Sequence, residues 1–227
     1  MKVTYFGHSA FMIQEGGYTF LIDPFLTGNP HLEKIPEDMR PDYILLTHGH
    51  GDHVGDALKI ALASDALLIA PFELATYCEK KGARVHPVHI GGAFGFPFGK
   101  VKLTQALHGS AVFEGDQVIY TGNPCGFLLT INQRTLYHAG DTGLFGDMKL
   151  IGDRNSIDIA FLPIGDNFTM GVEDAAYAVE LLRPRIAVPM HYNTFGYIMQ
   201  DPQGFITLIE EKGFAGKILP MGVPVDM

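Results

Sequence analysis

Between residues 47 and 53 the chain reads THGHGDH, three histidines and an aspartate packed directly behind the apolar run YILL. Imidazole and carboxylate are the donors that zinc, manganese, nickel and iron accept, and histidines this close together would otherwise repel one another on protonation. A chain of this composition would be expected to contain His-x-His-x-Asp-His by chance about 10⁻³ times. His48 and His50 stand two apart at the end of an extended run and point to one side. Asp52 and His53 lie on the loop entering the next helix, so four donor side chains converge. Gly49 and Gly51 let the backbone turn tightly between them.

One loop cannot close the shells of two metals, and three more donors stand at distant strand ends. His108 follows VKLTQAL, Asp141 follows TLYHAG and His191 follows IAVPM. Ends of strands are where α/β proteins assemble their sites. Four further residues are candidates for supporting the ligands from behind. His8 in FGHSAF could equally make a loop hydrogen bond, and Asp23 in LIDP could either fix the tautomer of a ligand histidine or form an Asx turn before Pro24. His138 reads as a buried, hydrogen-bonded support rather than a ligand, and Tyr192 as a pocket or core residue. Asp166, Asn167 and Asn193 could line the pocket, whereas His31, His86 and His89 have no ligand spacing and read as surface or core.

The elements that must carry these residues alternate between short strands and amphipathic helices. A hairpin opens the chain (VTYF, FMIQ, the turn EGG, YTFLID), YILLT (43–47) reads as a buried strand, and residues 54–63 have apolar positions at helical spacing. LLIAP and ELATYCEKKG give another strand and helix. The second half continues with VIY, GFLLTI, TLYHAG, DIAFLP, the helix VEDAAYAVELL, IAVPM, and a last helix from Pro202 to Lys212 with Asp201 as its N-cap and Gly213 as its stop. The halves rhyme. FMI…TFLID (11–23) resembles FLL…TLYHAGD (127–141), and Pro41…His48 resembles Pro184…His191. Two pseudo-repeated halves packed sheet to sheet predict an α/β, four-layer αββα sandwich with strand ends meeting along one edge.

No linker divides the 227 residues, so 1–227 reads as a single domain, with 47% hydrophobic and 18% charged residues supplying one core. The net charge of −9, from 16 basic against 25 acidic residues, has the wrong sign for a nucleic-acid partner. The start lacks a signal-peptide core and no run approaches a membrane span, which predicts a cytoplasmic protein with no membrane partner. Cys78 and Cys125 read as buried thiols. The segments 24–41 and 195–202 lack periodicity, and their aromatic and methionine side chains fit either a pocket wall or the contact of a homo-oligomer.

HGHGDH with His108, Asp141 and His191 downstream resembles the five-motif signature of the metallo-β-lactamase superfamily, over essentially the whole chain. FGHSAF, IDPFLTGNP, YHAGDTGLF and PMHYNTF are similar in particular to the small, uncharacterised metal-dependent hydrolases related to ascorbate-6-phosphate lactonase. The resemblance implies His48, His50 and His108 on one metal, Asp52, His53 and His191 on the other, and Asp141 bridging them. Asp141 stands where β-lactamases of the zinc-thiolate type supply a cysteine, and neither Cys78 nor Cys125 is placed to substitute, which argues against antibiotic hydrolysis. Oxygen-reducing di-iron relatives replace the second histidine by glutamate, so His50 favours hydrolysis. The cofactors expected are two divalent ions, zinc foremost, sharing a hydroxide made nucleophilic because the metals lower the pKa of water from ~15.7. Asp52 is the expected catalytic residue, orienting that nucleophile or passing on its proton. The small-molecule substrate expected is a lactone or a phosphorylated metabolite; the alternatives are a small or cyclic phosphodiester, or a scaffold that binds metal without turnover.

Overall fold

A computed structural model describes residues 1–32, 34–35 and 39–227. Part of the 24–41 segment, at residues 33 and 36–38, therefore lies outside the described residues. The first half contains β1 (Lys2–Tyr5), β2 (Phe11–Glu15), β3 (Tyr18–Ile22), β4 (Tyr43–Leu45), α1 (Gly51–Val54), α2 (Ala57–Ser64), β5 (Leu67–Pro71), α3 (Phe72–Lys80) and β6 (Val85–Val88). β7 (Ala93–Phe96), β8 (Gly99–Gln105), β9 (Ala111–Glu114), β10 (Gln117–Tyr120), β11 (Cys125–Ile131) and β12 (Arg134–His138) follow. α4 (Met148–Arg154), β13 (Ile159–Pro163), α5 (Val172–Leu182), β14 (Ile186–Met190), α6 (Pro202–Glu211) and β15 (Pro224–Asp226) complete the chain.

Two mixed sheets result, ordered β15-β1-β2-β3-β4-β5-β6 and β14-β13-β12-β11-β8-β7, with β9 and β10 forming a separate two-stranded ribbon. Both sheets share one plan: an antiparallel hairpin, β2–β3 or β11–β12, passes into parallel strands, β4 and β5 or β13 and β14. The hairpin rhyme in the sequence is thus structural. The Pro–His rhyme is corrected by the topology, because β4 is the first parallel strand after its hairpin whereas β14 is the second. His48 and His191 therefore occupy different positions in their halves, and β13 is the counterpart of β4.

Apolar residues alternate into the space between the sheets, where Tyr5, Phe11, Phe127 and Phe161 form the centre of the main core. A second cluster, including Ile44, Leu68, Leu74 and Cys78, packs beneath α2 and α3. Both cysteines are buried, and burial pushes the Cys78 thiol up to about 12. Among the described residues no helix is long and apolar enough to cross a membrane.

Two local features depart from the sequence reading. The helix expected over 54–63 is broken at Gly55, whose φ is +42°. A Cβ there would lie 2.4 Å from the Pro24 carbonyl oxygen, so the break lets the 24–27 segment dock, and the Asp56 carboxylate then accepts hydrogen bonds from the Thr27 amide and hydroxyl at 2.7 and 2.8 Å. α4 escaped the periodicity because Gly152 reads as a breaker. In the fold that glycine is where the end of α5 approaches, the Leu181 carbonyl oxygen lying 2.4 Å from where a Cβ would be. The Asp201 cap is present as expected, its carboxylate accepting from the Gln203 amide at 2.9 Å. Asp201→Ala should lower stability by about 1 kcal/mol in chemical denaturation; an unchanged midpoint would show that α6 is held by its packing alone.

Candidate metal centre

The shared topology delivers the chemistry. Asp23 follows β3, His48 follows β4, Asp141 follows β12 and His191 follows β14, so the carboxyl ends of strands from both sheets meet at one edge. Backbone bonds stitch that edge together: Cys125 donates to the Thr47 carbonyl at 3.0 Å and His191 to the His8 carbonyl at 2.6 Å. His8, Asp23 and His191 all hold positive φ (+56°, +43° and +54°), a left-handed conformation that costs a non-glycine residue about 1–3 kcal/mol and that concentrates at functional sites.

The donors fall into overlapping groups. His48, His50 and His108 form one, His48, His53 and Asp141 another, and His8, Asp52, His53 and His191 a third, with the donor atoms of each group within 4.8 Å of one another. In the first, His50 Nδ1 lies 3.0 Å from His48 Nε2 and 3.3 Å from His108 Nε2. Nitrogen ligands about 2.0–2.1 Å from a tetrahedral zinc would stand about 3.3 Å apart, so these separations suit a shared ion. Asp141 sits between the groups. Its Oδ2 lies 3.0 Å from His191 Nε2, 3.2 Å from His53 Nε2, 3.6 Å from His108 Nε2 and 4.0 Å from His48 Nε2. One oxygen is orphaned: Asp141 Oδ1 is buried without a hydrogen-bond partner, a costly state for a polar atom that a cation would relieve. The donor set therefore fits a metal.

A buried network sets which nitrogen faces the cluster. Thr47 donates its hydroxyl to Asp23 Oδ2 at 2.6 Å and so accepts from His48 Nδ1 at 2.9 Å, which leaves His48 Nε2 with its lone pair inward. Asp23 Oδ2 also accepts from His53 Nδ1 at 2.8 Å, and Oδ1 from the Thr47 amide at 2.9 Å. The sequence reading had offered Asp23 this role; Thr47, the relay to His48, it had missed, although a threonine immediately before the histidine pair was a visible signal. Ser110 was missed as well. Its hydroxyl accepts from the Gly49 amide at 3.0 Å and holds the loop from behind.

Burial, reinforced by the neighbouring imidazoles, holds His48 well below the ordinary histidine range, and burial chiefly lowers His50 and His108 too, so all three are neutral donors at pH 7. His8 is pushed down to about 4 by burial and by His191. For Asp141 burial opposes the charge, but His191 and His53 outweigh it and hold the carboxyl well below its usual range. Asp52 is likewise lowered against burial, through its hydrogen bond with His8 and the charge of His53. His53 is the exception among the imidazoles: burial would lower it, yet Asp141 and Asp23 raise it well above 6.5.

His53 is thus protonated in the metal-free protein at neutral pH, and an ion binding there must displace that proton. Zinc uptake should release about one proton at pH 7 and weaken as the pH falls, read as a buffer-dependent binding enthalpy in calorimetry. A buffer-independent enthalpy would remove His53 from the ligand set.

The other sequence candidates separate. His8 joins the cluster: its Nε2 lies 3.1 Å from Asp52 Oδ2 and its Nδ1 3.0 Å from Thr194 Oγ1. His138 stands outside, its Nε2 donating to the Ser9 carbonyl at 3.1 Å and its Nδ1 accepting from the Gly140 amide at 3.2 Å, so both ring nitrogens are committed. Tyr192 packs into the main core. Asp166 and Asn167 are exposed on a left-handed turn, and none of His31, His86 and His89 belongs to a donor group found among the described residues. Phe25 and Phe195 approach His8 edge-on at 5.7 and 5.5 Å, forming an apolar wall beside it.

Known proteins resemble the chain over its whole length. The family profile described as the β-lactamase superfamily domain matches residues 2–191. The chain is 59% identical over 228 residues to a UPF0173 metal-dependent hydrolase of a Geobacillus species, with 100% of both chains covered. It is 57% identical over 228 residues to another UPF0173 metal-dependent hydrolase from Anoxybacillus flavithermus. Among solved structures, a metallo hydrolase of the hyperthermophilic archaeon Ignicoccus hospitalis superimposes with a TM-score of 0.90 at 37% identity, over 99% of this chain and 97% of that one.

Proposed function

We propose a reaction class from one premise: this chain belongs to the UPF0173 metal-dependent hydrolases of the β-lactamase superfamily. It is a metal-dependent hydrolase, and we read its centre as dinuclear and its substrate as a small lactone. The observation that carries the dinuclear reading is Asp141, whose single oxygen Oδ2 lies 3.0–4.0 Å from four histidine Nε2 atoms drawn from all three donor groups. His48, His50 and His108 would hold one ion and Asp52, His53 and His191 the other, with Asp141 shared. Zinc fits this nitrogen-rich set, and manganese, nickel and iron are the alternatives.

When bound, the ions supply a Lewis acid and a water acidic enough to be deprotonated near neutrality. The chain supplies the rest. Thr47 and Asp23 hold the lone pairs of His48 and His53 inward, and Phe25 and Phe195 pack edge-on against the His8 ring. Asp52 is half-buried at the rim with Oδ2 turned to His8; its other oxygen is the group suited to accept the nucleophile's proton and return it to the leaving alkoxide.

A groove beside His108 favours an uncharged carbonyl substrate. Its lining of Ile90, Gln105, Ala106, Leu107, Asn123 and Pro124 contains no lysine or arginine, the residues that would recognise a phosphate. The resemblance of FGHSAF, IDPFLTGNP, YHAGDTGLF and PMHYNTF to the relatives of ascorbate-6-phosphate lactonase supports the same bond. A small phosphodiester is the second reading, since the same pair of ions suits attack at phosphorus. The test is turnover of γ-lactones beside bis(p-nitrophenyl) phosphate by protein stripped of metal and reloaded with zinc or manganese. Metal-dependent lactone opening supports the first reading, whereas diester hydrolysis without lactone opening replaces it with the second.

A further inference from the structure

We propose that His8 Nε2, beside Asp52, His53 and His191, is itself a ligand of the second ion, resting on the dinuclear reading above. The backbone aims this ring. The His8 carbonyl accepts from the Tyr5 hydroxyl at 3.0 Å and from the His191 amide at 2.6 Å, pinning the residue in its left-handed conformation. The ring is buried and lies against that of His191, with centroids 4.0 Å apart.

The partners of the ring allow Nε2 to present a lone pair to an ion. With the Tyr192 carbonyl as an acceptor 3.4 Å away, the Thr194 hydroxyl can turn its proton there and accept from His8 Nδ1–H at 3.0 Å when Nε2 is engaged by a metal. A neutral imidazole with its proton on Nδ1 carries a lone pair on Nε2. That lone pair faces Asp52 Oδ2 at 3.1 Å. Without a metal, a proton between these two atoms makes their hydrogen bond; an ion that displaces it would sit between atoms whose separation is close to the about 3.3 Å spacing of ligands sharing one zinc. The donor atoms of His53 and His191 fall within 4.8 Å of the same point. A position furnished by His8, Asp52, His53, His191 and the shared Asp141 is nearly closed by protein. The three-histidine position is then the one with room for a substrate oxygen, as open catalytic sites require.

The competing role is that of a donor positioning Asp52, and His8→Gln separates the two. Glutamine keeps an N–H able to reach Asp52 but removes the imidazole. The full chain, stripped and titrated with cobalt, should bind two equivalents in the wild type. In His8→Gln the second equivalent should bind more than about 100-fold more weakly, beyond the ~10–100-fold typical of losing an outer partner, with its visible absorption changed. Two equivalents bound with wild-type affinity and an unchanged spectrum would overturn the proposal and leave the dinuclear reading standing; a single equivalent in the wild type would overturn that reading too. Should the variant not fold, wild-type protein loaded with an NMR-active cadmium isotope gives the same decision. Scalar coupling between cadmium and the His8 ring protons supports ligation, and its absence overturns it.

Discussion

Replacing Asp141 by alanine should abolish hydrolysis and weaken both metals together, while the far-UV spectrum stays that of the wild type. One buried oxygen stands 3.0–4.0 Å from the Nε2 atoms of four histidines, so its loss removes the negative charge common to both proposed positions. The metal-free protein would change in a defined way. His53 would lose one of the two carboxylates that raise its pKa and would deprotonate at lower pH. We expect affinity losses of more than about 100-fold at both positions, since an outer partner alone is typically worth ~10–100-fold. Metal analysis after dialysis, beside turnover, gives the readout. Retention of one equivalent on His48, His50 and His108 at wild-type affinity would show that Asp141 serves a single ion, and the bridging assignment would fall.

Asp23→Ala should be the most damaging change outside the proposed ligand set. Asp23 is fully buried and accepts the Thr47 amide, the Thr47 hydroxyl and His53 Nδ1, so alanine strands three donors in the interior. Breaking a buried charged network of this kind costs about 3–5 kcal/mol. At about 2–4 °C per kcal/mol for a chain of this size, the melting temperature should fall by about 6–20 °C. Both inward lone pairs lose their orientation, His53 directly and His48 through Thr47, so metal affinity should drop ~10–100-fold in addition. Asp23→Asn keeps the volume and one acceptor and should lie between alanine and wild type on both scales. Equal melting temperatures for wild type and Asp23→Ala, measured without metal, would falsify the network account.

Much of the architecture was legible because burial is written into strand and helix periodicity. The runs at 43–45 and 159–163 are buried throughout, that at 125–131 is interrupted only by the half-buried Thr130, and the amphipathic run at 172–182 is a helix. The illegible elements were those whose local signals conflict with a tertiary requirement. Gly55 and Gly152 are compelled by close backbone approaches from segments distant in sequence, so in the sequence they mimic ordinary breakers. The Pro–His rhyme failed for a related reason: spacing within a strand carries no information about that strand's place in a sheet.

Residue identity and spacing alone carry the donor chemistry: which residue types gather in HGHGDH, and that His108, Asp141 and His191 stand at strand ends where a site could form. Those properties are local, set by side-chain identity and by the period of short elements. Long-range packing sets how the donors divide, brings one Asp141 oxygen to face four imidazoles, lets Asp23 and Thr47 orient two of them, and draws His8 into the cluster while His138 is committed to Ser9 and Gly140. Each of these depends on groups brought together from separate strands, over separations up to the 186 residues between His8 and Thr194. The direction of a lone pair is a property of its hydrogen-bond partner, and the partner is chosen by the fold.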